Sequence, residues 1–386
     1  MSGGVPGSGE PSTRRSRRSD PEPAPRALAT RADVARLAGV SSAVVSYVVN
    51  DGPRPVAAET RARVLQAMDQ LGYVPNASAR NLRRGSTQTL GLVVADSQNP
   101  FFGQYTFELV KAAERQGKQL LIADSREDAA READIVDNLV AQQVDGLLFT
   151  SAFARVDRSR SLRLAGIPTV LIDCPGPVVG RRTVGSDAGG AAEMLVRHLV
   201  EHGRTRIGLV IGHRGFGDPD PREHGWRLAL RSAGLPDGPI VRVPFTREGG
   251  FAGAQALLES ADVDAIFASN DIQGVGALLA LQQRGVRVPD DVAVVSFDGT
   301  EESRFCWPPL TAARQRIPDL AATALELLGT PDTEAGTHVS LPTDLVRRRS
   351  CGCGVAEPDP GVAAELQLPD GEDAGDGGSA SAAVAT

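Results

Sequence analysis

Apolar residues recur with two different spacings along this chain. Between Thr30 and Leu71 they fall at helical intervals. Val34, Ala35, Leu37 and Ala38 form one stripe, Val45, Val48 and Val49 a second, and Val64, Met68 and Leu71 a third. Thr30 is placed to cap the first helix with Asp33 near its positive end, and Gly39 suits the left-handed turn that closes it. Ser41 then caps a second helix over Ser42–Val49, and a third runs from about Ala57 to Leu71 and stops at Gly72. Pro75-Asn76 restarts the chain, with Pro75 blocking continuation and Asn76 a good N-cap, and Ala77–Arg84 has the length of two helical turns.

Beyond Leu90 the spacing changes. Short apolar runs at 90–95, 120–123, 146–150, 169–173, 207–211, 265–268 and 292–297 alternate with amphipathic stretches such as Tyr105–Gln116 and Ala188–Glu201. Near-continuous apolar strands between helices predict parallel sheets covered on both faces. Some 260 residues and this many strands exceed one sheet, so two α/β lobes are expected. In open parallel sheets ligands bind beyond the carboxyl ends of the strands. Asp96, Ser151, Asp173, Asn270 and Asp298 stand at those ends.

Charge sharpens the division. The net charge of −7 is carried by the segment from Val355 to Thr386, which has seven acids and no Lys or Arg. The remainder is neutral overall, yet Arg26 to Gly85 has nine Arg against four acids. A basic module on a neutral body is the electrostatic footprint of a nucleic-acid reader. The face of the second helix made by Ser42, Ala43, Ser46 and Tyr47 is small enough to enter a major groove closely. In the Arg-rich segment after Asn76, Leu82 is the one large apolar side chain, which fits a wedge in a minor groove. Both ends, Met1–Pro25 and the acidic tail, hold almost nothing to bury and are expected to be disordered.

Several function classes are disfavoured. No apolar run approaches a membrane span, and the first 25 residues lack the apolar segment of a secretory signal, so a cytoplasmic location is expected. There is no G-x-S-x-G, no Walker loop and no G-x-G-x-x-G after a strand, so no catalytic residues and no cofactor are expected. His213, Asp218, Asp220, Glu223 and His224 cluster in sequence, but their spacing fits no standard metal site. Four Cys (Cys174, Cys306, Cys351, Cys353) are too few for a disulfide framework. Cys351 and Cys353 form a bare C-x-C with no second pair or His close by in sequence, which reads as a free-thiol chain terminus and no metal site.

The segments DVARLAGVS, VVSYVVN, ETRARVLQAMDQLGYVPNASARNLR, NPFF, ASNDIQGVGALLAL, RGVRVPDDVAVVSFDG, PPLTAARQ and LPTDLVRRRS, in this order, resemble the LacI/GalR family of bacterial transcription regulators. The resemblance spans about Thr30 to Cys351. It implies an α/β fold with an N-terminal helix-turn-helix headpiece, a hinge helix, and a two-lobed core like periplasmic sugar-binding proteins. The divisions expected are a tail at 1–28, a headpiece at 29–75, a hinge at 76–86, a core at 87–354 and a tail at 355–386. Within the core the lobes would part near 185, with further crossings near 314 and 339.

The resemblance also implies partners and residues. On double-stranded DNA bearing a pseudopalindromic operator, Ser42, Ala43 and Tyr47 would read bases, with Thr30, Ser41, Ser46 and Asn50 nearer the backbone. Asn76, Ala79, Arg80 and Leu82 would serve the hinge. The family motif usually has Arg where Tyr47 stands, and Tyr cannot make the bidentate guanine contact of Arg. A small-molecule effector, expected to be a carbohydrate, would meet Asn99, Phe101, Phe102, Asp173, Arg222, Phe245, Asn270, Asp298 and Gln315. Thr150 and Cys174 stand where a ribose-type site would have Asn and Arg. The function expected is effector-controlled repression by a homodimer, with induction and corepression both compatible with the sequence.

Overall fold

The structure is a computed structural model that describes residues 29–50, 54–75, 85–150, 166–212, 220–331, 333 and 336–354. Asn76, Ala79, Arg80 and Leu82 of the expected hinge lie outside the described residues, as do Ser151, His213, Asp218 and both tails. The described chain divides into two compact units that part between Gly85 and Ser86.

The first unit is three helices: α1 (Arg31–Ala38), α2 (Ser42–Asn50) and α3 (Ala58–Leu71). Thr30 and Asp33 form a reciprocal capping box at the start of α1, the Thr30 hydroxyl donating to the Asp33 carboxylate at 2.6 Å. Gly39 ends α1 at φ 65°, and α2 then leaves at 105° to it, the geometry of a helix-turn-helix. Val34, Ala35, Ala38, Val45, Val48, Val64 and Ala67 close a small core. Two residues of the apolar stripes stay outside it: Leu37 and Leu71 are 51% and 37% exposed. Each stripe is wider than the face that three short helices can bury among themselves.

The second unit holds two six-stranded sheets. The first has strand order β11-β5-β4-β3-β1-β2, all parallel. It is built from β1 (Thr89–Val94), β2 (Gln119–Asp124), β3 (Gly146–Thr150), β4 (Thr169–Ile172), β5 (Arg182–Ser186) and β11 (Thr337–Leu341). The second has order β12-β10-β9-β8-β6-β7, parallel except for β12. Its strands are β6 (Ile207–Ile211), β7 (Ile240–Arg242), β8 (Ala265–Ala268), β9 (Ala293–Asp298), β10 (Thr311–Gln315) and β12 (Thr343–Val346). The chain therefore passes between lobes three times: after Ser186, after Gln315 and between Leu341 and Thr343.

Helices cover the sheets. In the first lobe these are α4 (Pro100–Arg115), α5 (Ala129–Ala141) and α11 (Ile317–Leu328), the last returning after β10 to bury Ile317, Leu320 and Ala324 against the first sheet. In the second lobe they are α6 (Ala188–Glu201), α7 (Pro221–Ser232), α8 (Arg247–Ser260), α9 (Asp271–Gln283) and the short α10 (Glu301–Phe305). Strands β5, β7, β10, β11 and β12 went unannounced by any apolar run. In β5 the buried Arg182 explains this, because its guanidinium caps α11 by donating to the carbonyls of Leu327 and Leu328 at 2.9 and 3.1 Å. Strand β10 is buried through small residues and β7 is only three residues long. Among the described residues no single helix is long and apolar enough to cross a membrane.

Candidate functional site

The two lobes of the second unit face each other across a cavity of about 440 Å³, within the range of about 300–1,000 Å³ usual for small-molecule sites. Its wall is made from the carboxyl ends of strands and the first turns of helices. Asn99, Phe101, Phe102, Asp173, Arg222, Phe245, Asn270, Asp298 and Gln315 all line it.

Capping places several of these side chains. Asn99 caps α4, its carbonyl oxygen accepting from the Phe101 amide at 3.0 Å. That cap fixes where the chain turns and so aims the two rings that follow, which meet edge to face at 5.2 Å. Asn270 caps α9 in the same way, accepting from the Gln273 amide at 2.8 Å. Asp173 and Asp298 sit at φ 55° and 109°, left-handed backbone that a non-glycine residue adopts at a cost. Both therefore turn out of their strands at the cavity.

Arg222 is the buried cation of the site, at 3% exposure. Asp220 caps α7 and grips the guanidinium with both oxygens, accepting from Nε at 3.0 Å and Nη2 at 2.7 Å. Nη1 donates to the Ser269 carbonyl at 2.5 Å. The guanidinium carbon lies 5.1 Å from the Phe245 ring centre and 5.5 Å from that of Phe297. Burial opposes the Arg222 charge, but the Asp220 carboxylate keeps it firmly protonated. Burial pushes the Asp298 carboxyl well above the usual carboxylate range, the charge of Asp271 adds to this, and Arg222 opposes it.

Asp298 is also tied to the crossings. Gln315 donates its amide N–H to Asp298 at 2.8 Å and accepts from the Ser186 hydroxyl at 2.7 Å. Ser186 ends the strand before the first crossing and Gln315 the strand before the second, so the cavity and the inter-lobe hinge share one buried hydrogen-bonded chain.

Two expected substitutions have visible consequences. The Thr150 hydroxyl is engaged by strand β1, accepting from the Ala95 amide at 3.1 Å and donating to the Val93 carbonyl at 3.2 Å. The Cys174 thiol donates to the Gly176 carbonyl at 3.3 Å. This part of the wall is therefore less polar than a site with Asn and Arg would be.

Some participants were not singled out from the sequence as parts of this site. Asp220 had been grouped with a metal-like cluster; it serves as the partner of Arg222 instead. Its position in Asp-Pro-x at a helix start was the available signal. Ser186 and Phe297 carried none. Gly212 makes room for Phe245: a Cβ there would lie 2.1 Å from the ring.

In the headpiece, Ser41, just before α2, is exposed; on the side of α2 away from Val45 and Val48, Ala43 is exposed and Ser42, Ser46, Tyr47 and Asn50 are half-buried. Thr30 is exposed beside the start of α1.

The C-x-C, bare in sequence, has neighbours in space. The fold brings His198 and His202, some 150 residues earlier, against Cys351 and Cys353. Linear spacing could not reveal this, because the two pairs meet only through packing of α6 beside the end of the second sheet.

Comparison with known proteins bears on both units. A family model for bacterial regulatory proteins of the lacI family matches residues 30–76, and a periplasmic binding protein-like domain model matches residues 196–351. The HTH-type transcriptional regulator GalR of Salmonella typhimurium is 36% identical over 332 residues, covering 84% of this chain and 96% of that protein. A lac repressor dimer bound to operator and the anti-inducer ONPF superposes with a TM-score of 0.74 at 26% identity, covering 84% of this chain and 99% of that one. A complex of the transcriptional regulator CelR with cellobiose gives a TM-score of 0.61 at 30% identity, over 83% of this chain and 99% of that one.

Proposed function

Since the chain belongs to the lacI family of bacterial regulatory proteins, we propose that it is a cytoplasmic repressor whose grip on its operator is set by a carbohydrate in the inter-lobe cavity. The observation that carries the ligand class is the wall itself. A buried guanidinium, two carboxyls and three side-chain amides suit paired hydroxyls, while Phe102 and Phe245 offer faces to the C–H surface of a sugar ring. The cellobiose complex of a related regulator supports the same class. With Thr150 and Cys174 engaged by nearby backbone, a plain ribose site is disfavoured.

On DNA, Ser42, Ala43 and Tyr47 read bases, with Thr30, Ser41, Ser46 and Asn50 against the backbone. Asn76, Ala79 and Arg80 hold the hinge segment on the duplex, and Leu82 wedges a central step in the minor groove. A homodimer supplies the two half-sites. Its first lobe offers a surface for pairing: β2 is an edge strand with Leu121 and Ile122 exposed, and Phe107 on α4 is 62% exposed. The sign of control follows from which lobe arrangement the effector binds better.

Thermal-shift screening against sugars and nucleosides tests the ligand class. A ligand at 100 times its Kd adds about 2.7 kcal/mol, a rise of about 5 °C for a core of this size. The reading fails if nucleosides stabilise the protein and no sugar does. Leu82→Ala tests the hinge: operator affinity should collapse while effector binding persists, and an unchanged gel shift rejects the wedge.

A further inference from the structure

The His198–His202–Cys351–Cys353 cluster lies apart from the inter-lobe cavity and plays no part in the function proposed above. His198 lies in the last turn of α6 and His202, four positions on, is its C-cap, so the two rings come together at the end of the helix, 4.7 Å between centres. Cys351 and Cys353 flank Gly352, which takes φ 101° at the end of a 3-10 turn, Arg349–Cys351. The ligand atoms of all four residues lie within 4.8 Å of one another. His198 Nε2 is 3.3 Å from Cys351 Sγ and 3.5 Å from Cys353 Sγ, and His202 Nε2 is 3.4 Å from Cys353 Sγ.

These separations are informative because a tetrahedral metal centre fixes the distances between its ligands. Zinc bonds of about 2.0–2.1 Å to nitrogen and about 2.3 Å to sulfur imply ligand-to-ligand edges of about 3.3–3.8 Å. The three N···S distances fall inside that range. The support is also rigid on the buried side. The Thr311 hydroxyl donates to Cys351 Sγ at 3.0 Å, and the Ser350 hydroxyl, donating to the Val294 carbonyl at 2.6 Å, pins the turn to the second sheet. On the far side of the His198 ring, Nδ1 is 3.8 Å from the exposed Glu201 carboxylate, beyond hydrogen-bond reach but near enough to favour a proton on that nitrogen and leave Nε2 free for a metal. Burial is graded: His198 and Cys351 are buried, Cys353 is half-buried and His202 is exposed, so a cation can enter from the His202 side.

We propose that His198, His202, Cys351 and Cys353 form a tetrahedral site for a divalent zinc-class cation, clipping the carboxyl end of the core to the first helix of the second lobe. Both thiols lose their protons on binding, so two thiolates and a divalent cation make a neutral unit that tolerates partial burial. Two imidazoles with two thiolates select Zn²⁺ over hard cations such as Mg²⁺ or Ca²⁺. The clip joins α6 to the last described turn of the core, beside α7, which carries Arg222.

The test uses the full-length, untagged, reduced chain. Elemental analysis after purification without chelator should find about one zinc per chain, as a single closed site requires. Cys353→Ser and His202→Ala should each lose that zinc, and Cys306→Ser should keep it. Adding Co²⁺ to the stripped, reduced protein should give tetrahedral ligand-field bands and a thiolate-to-cobalt charge-transfer band, both absent in Cys353→Ser. Chelation should lower the Tm of the parent protein and leave that of Cys353→Ser unchanged. Because His202 and Cys353 are the accessible ligands, both variants are expected to fold, as circular dichroism will report. Zinc content equal in parent and Cys353→Ser, or a stripped and reduced chain that takes up Co²⁺ without tetrahedral bands, overturns the proposal.

Discussion

Asp220→Ala isolates the device that holds Arg222 in the cavity wall. The substitution removes two charge-assisted hydrogen bonds, at 3.0 and 2.7 Å, and the helix cap to the Arg222 amide at 2.9 Å. Taken singly, charged bonds contribute about 1.5–3 kcal/mol each and the cap about 1 kcal/mol. Contributions at one site are not additive, and the Ser269 carbonyl and the nearby Asp298 remain to share the charge. Loss of one partner from a buried pair costs about 3–5 kcal/mol, so the core should lose about 5–9 °C in Tm. Effector affinity should fall by about 10- to 100-fold as the guanidinium loses its fixed orientation. Asp220→Asn, which keeps the volume and an acceptor, should lose less on both counts. The double variant Asp220→Ala/Arg222→Leu should regain much of the stability, since no unpaired charge remains, yet should not regain the effector response. Scanning calorimetry and titration calorimetry read the two effects separately. A stability change under about 1 kcal/mol for Asp220→Ala would refute the pairing as the organiser of this wall. A large stability loss with unchanged affinity would remove Arg222 from the effector's contacts.

Three further outcomes follow from the packing. Gly212→Ala should weaken effector binding with little loss of Tm, because its Cβ would sit 2.1 Å from a Phe245 ring that can swing aside only by leaving its place in the wall; unchanged affinity in titration calorimetry would take Phe245 out of the site. Val64→Ala empties part of a seven-residue core and should cost the headpiece about 2 kcal/mol, enough to lower its helicity and operator affinity while the core's effector-induced Tm shift persists. Asp145 joins the start of β1 to β3 by accepting from the Ser86 hydroxyl and the Thr87 and Gln88 amides at 2.5, 2.8 and 2.9 Å. Burial works to raise its pKa, but those hydrogen bonds outweigh it and hold the carboxyl below its ordinary value. A depressed folded-state pKa means stability present above the unfolded value and lost as pH falls through the folded one. Asp145→Asn should therefore flatten the acid side of the Tm–pH curve between about pH 5 and pH 3, and parallel curves would reject the clamp.

Legibility in the sequence depended on whether a residue's job was local. Thr30, Gly39, Asn99 and Asn270 act within three or four positions of themselves, and their caps appear where capping preference puts them. Six of the seven apolar runs became interior strands, which must be apolar on both faces, and the seventh became the edge strand β2. Strand β10 escaped notice because its Ala-Ala centre packs closely against neighbours that only the fold supplies. Arg182, in β5, reads as a surface residue until α11 returns from the far lobe with unsatisfied carbonyls for it to cap. The His–Cys cluster is the extreme case. Metal-ligand spacing is a local pattern along a chain, whereas the halves of this cluster sit about 150 positions apart and meet only in the packed second lobe.

The Ser186–Gln315–Asp298 chain gives the cavity a physical route to the crossings. Gln315 uses both ends of its amide, one on Ser186 and one on Asp298, and all three residues are buried. Asp187, the next residue after Ser186, donates its amide to the Leu341 carbonyl at 2.9 Å, which brings the third crossing into the same network. A hydroxyl that engages Asp298 must compete with or add to the Gln315 bond. Burial also holds the Asp298 carboxyl toward its protonated form, in which it can donate as well as accept. On the function proposed above, a ligand hydroxyl at Asp298 would alter the hydrogen bonding at the crossings. An effector shifts a two-state protein only through contacts that differ between the states, and Asp298 and Gln315 are cavity residues whose hydrogen bonds reach the crossings. Arg222, by contrast, is held by Asp220 and Ser269 within the second lobe, so its hydrogen bonds do not reach the crossings.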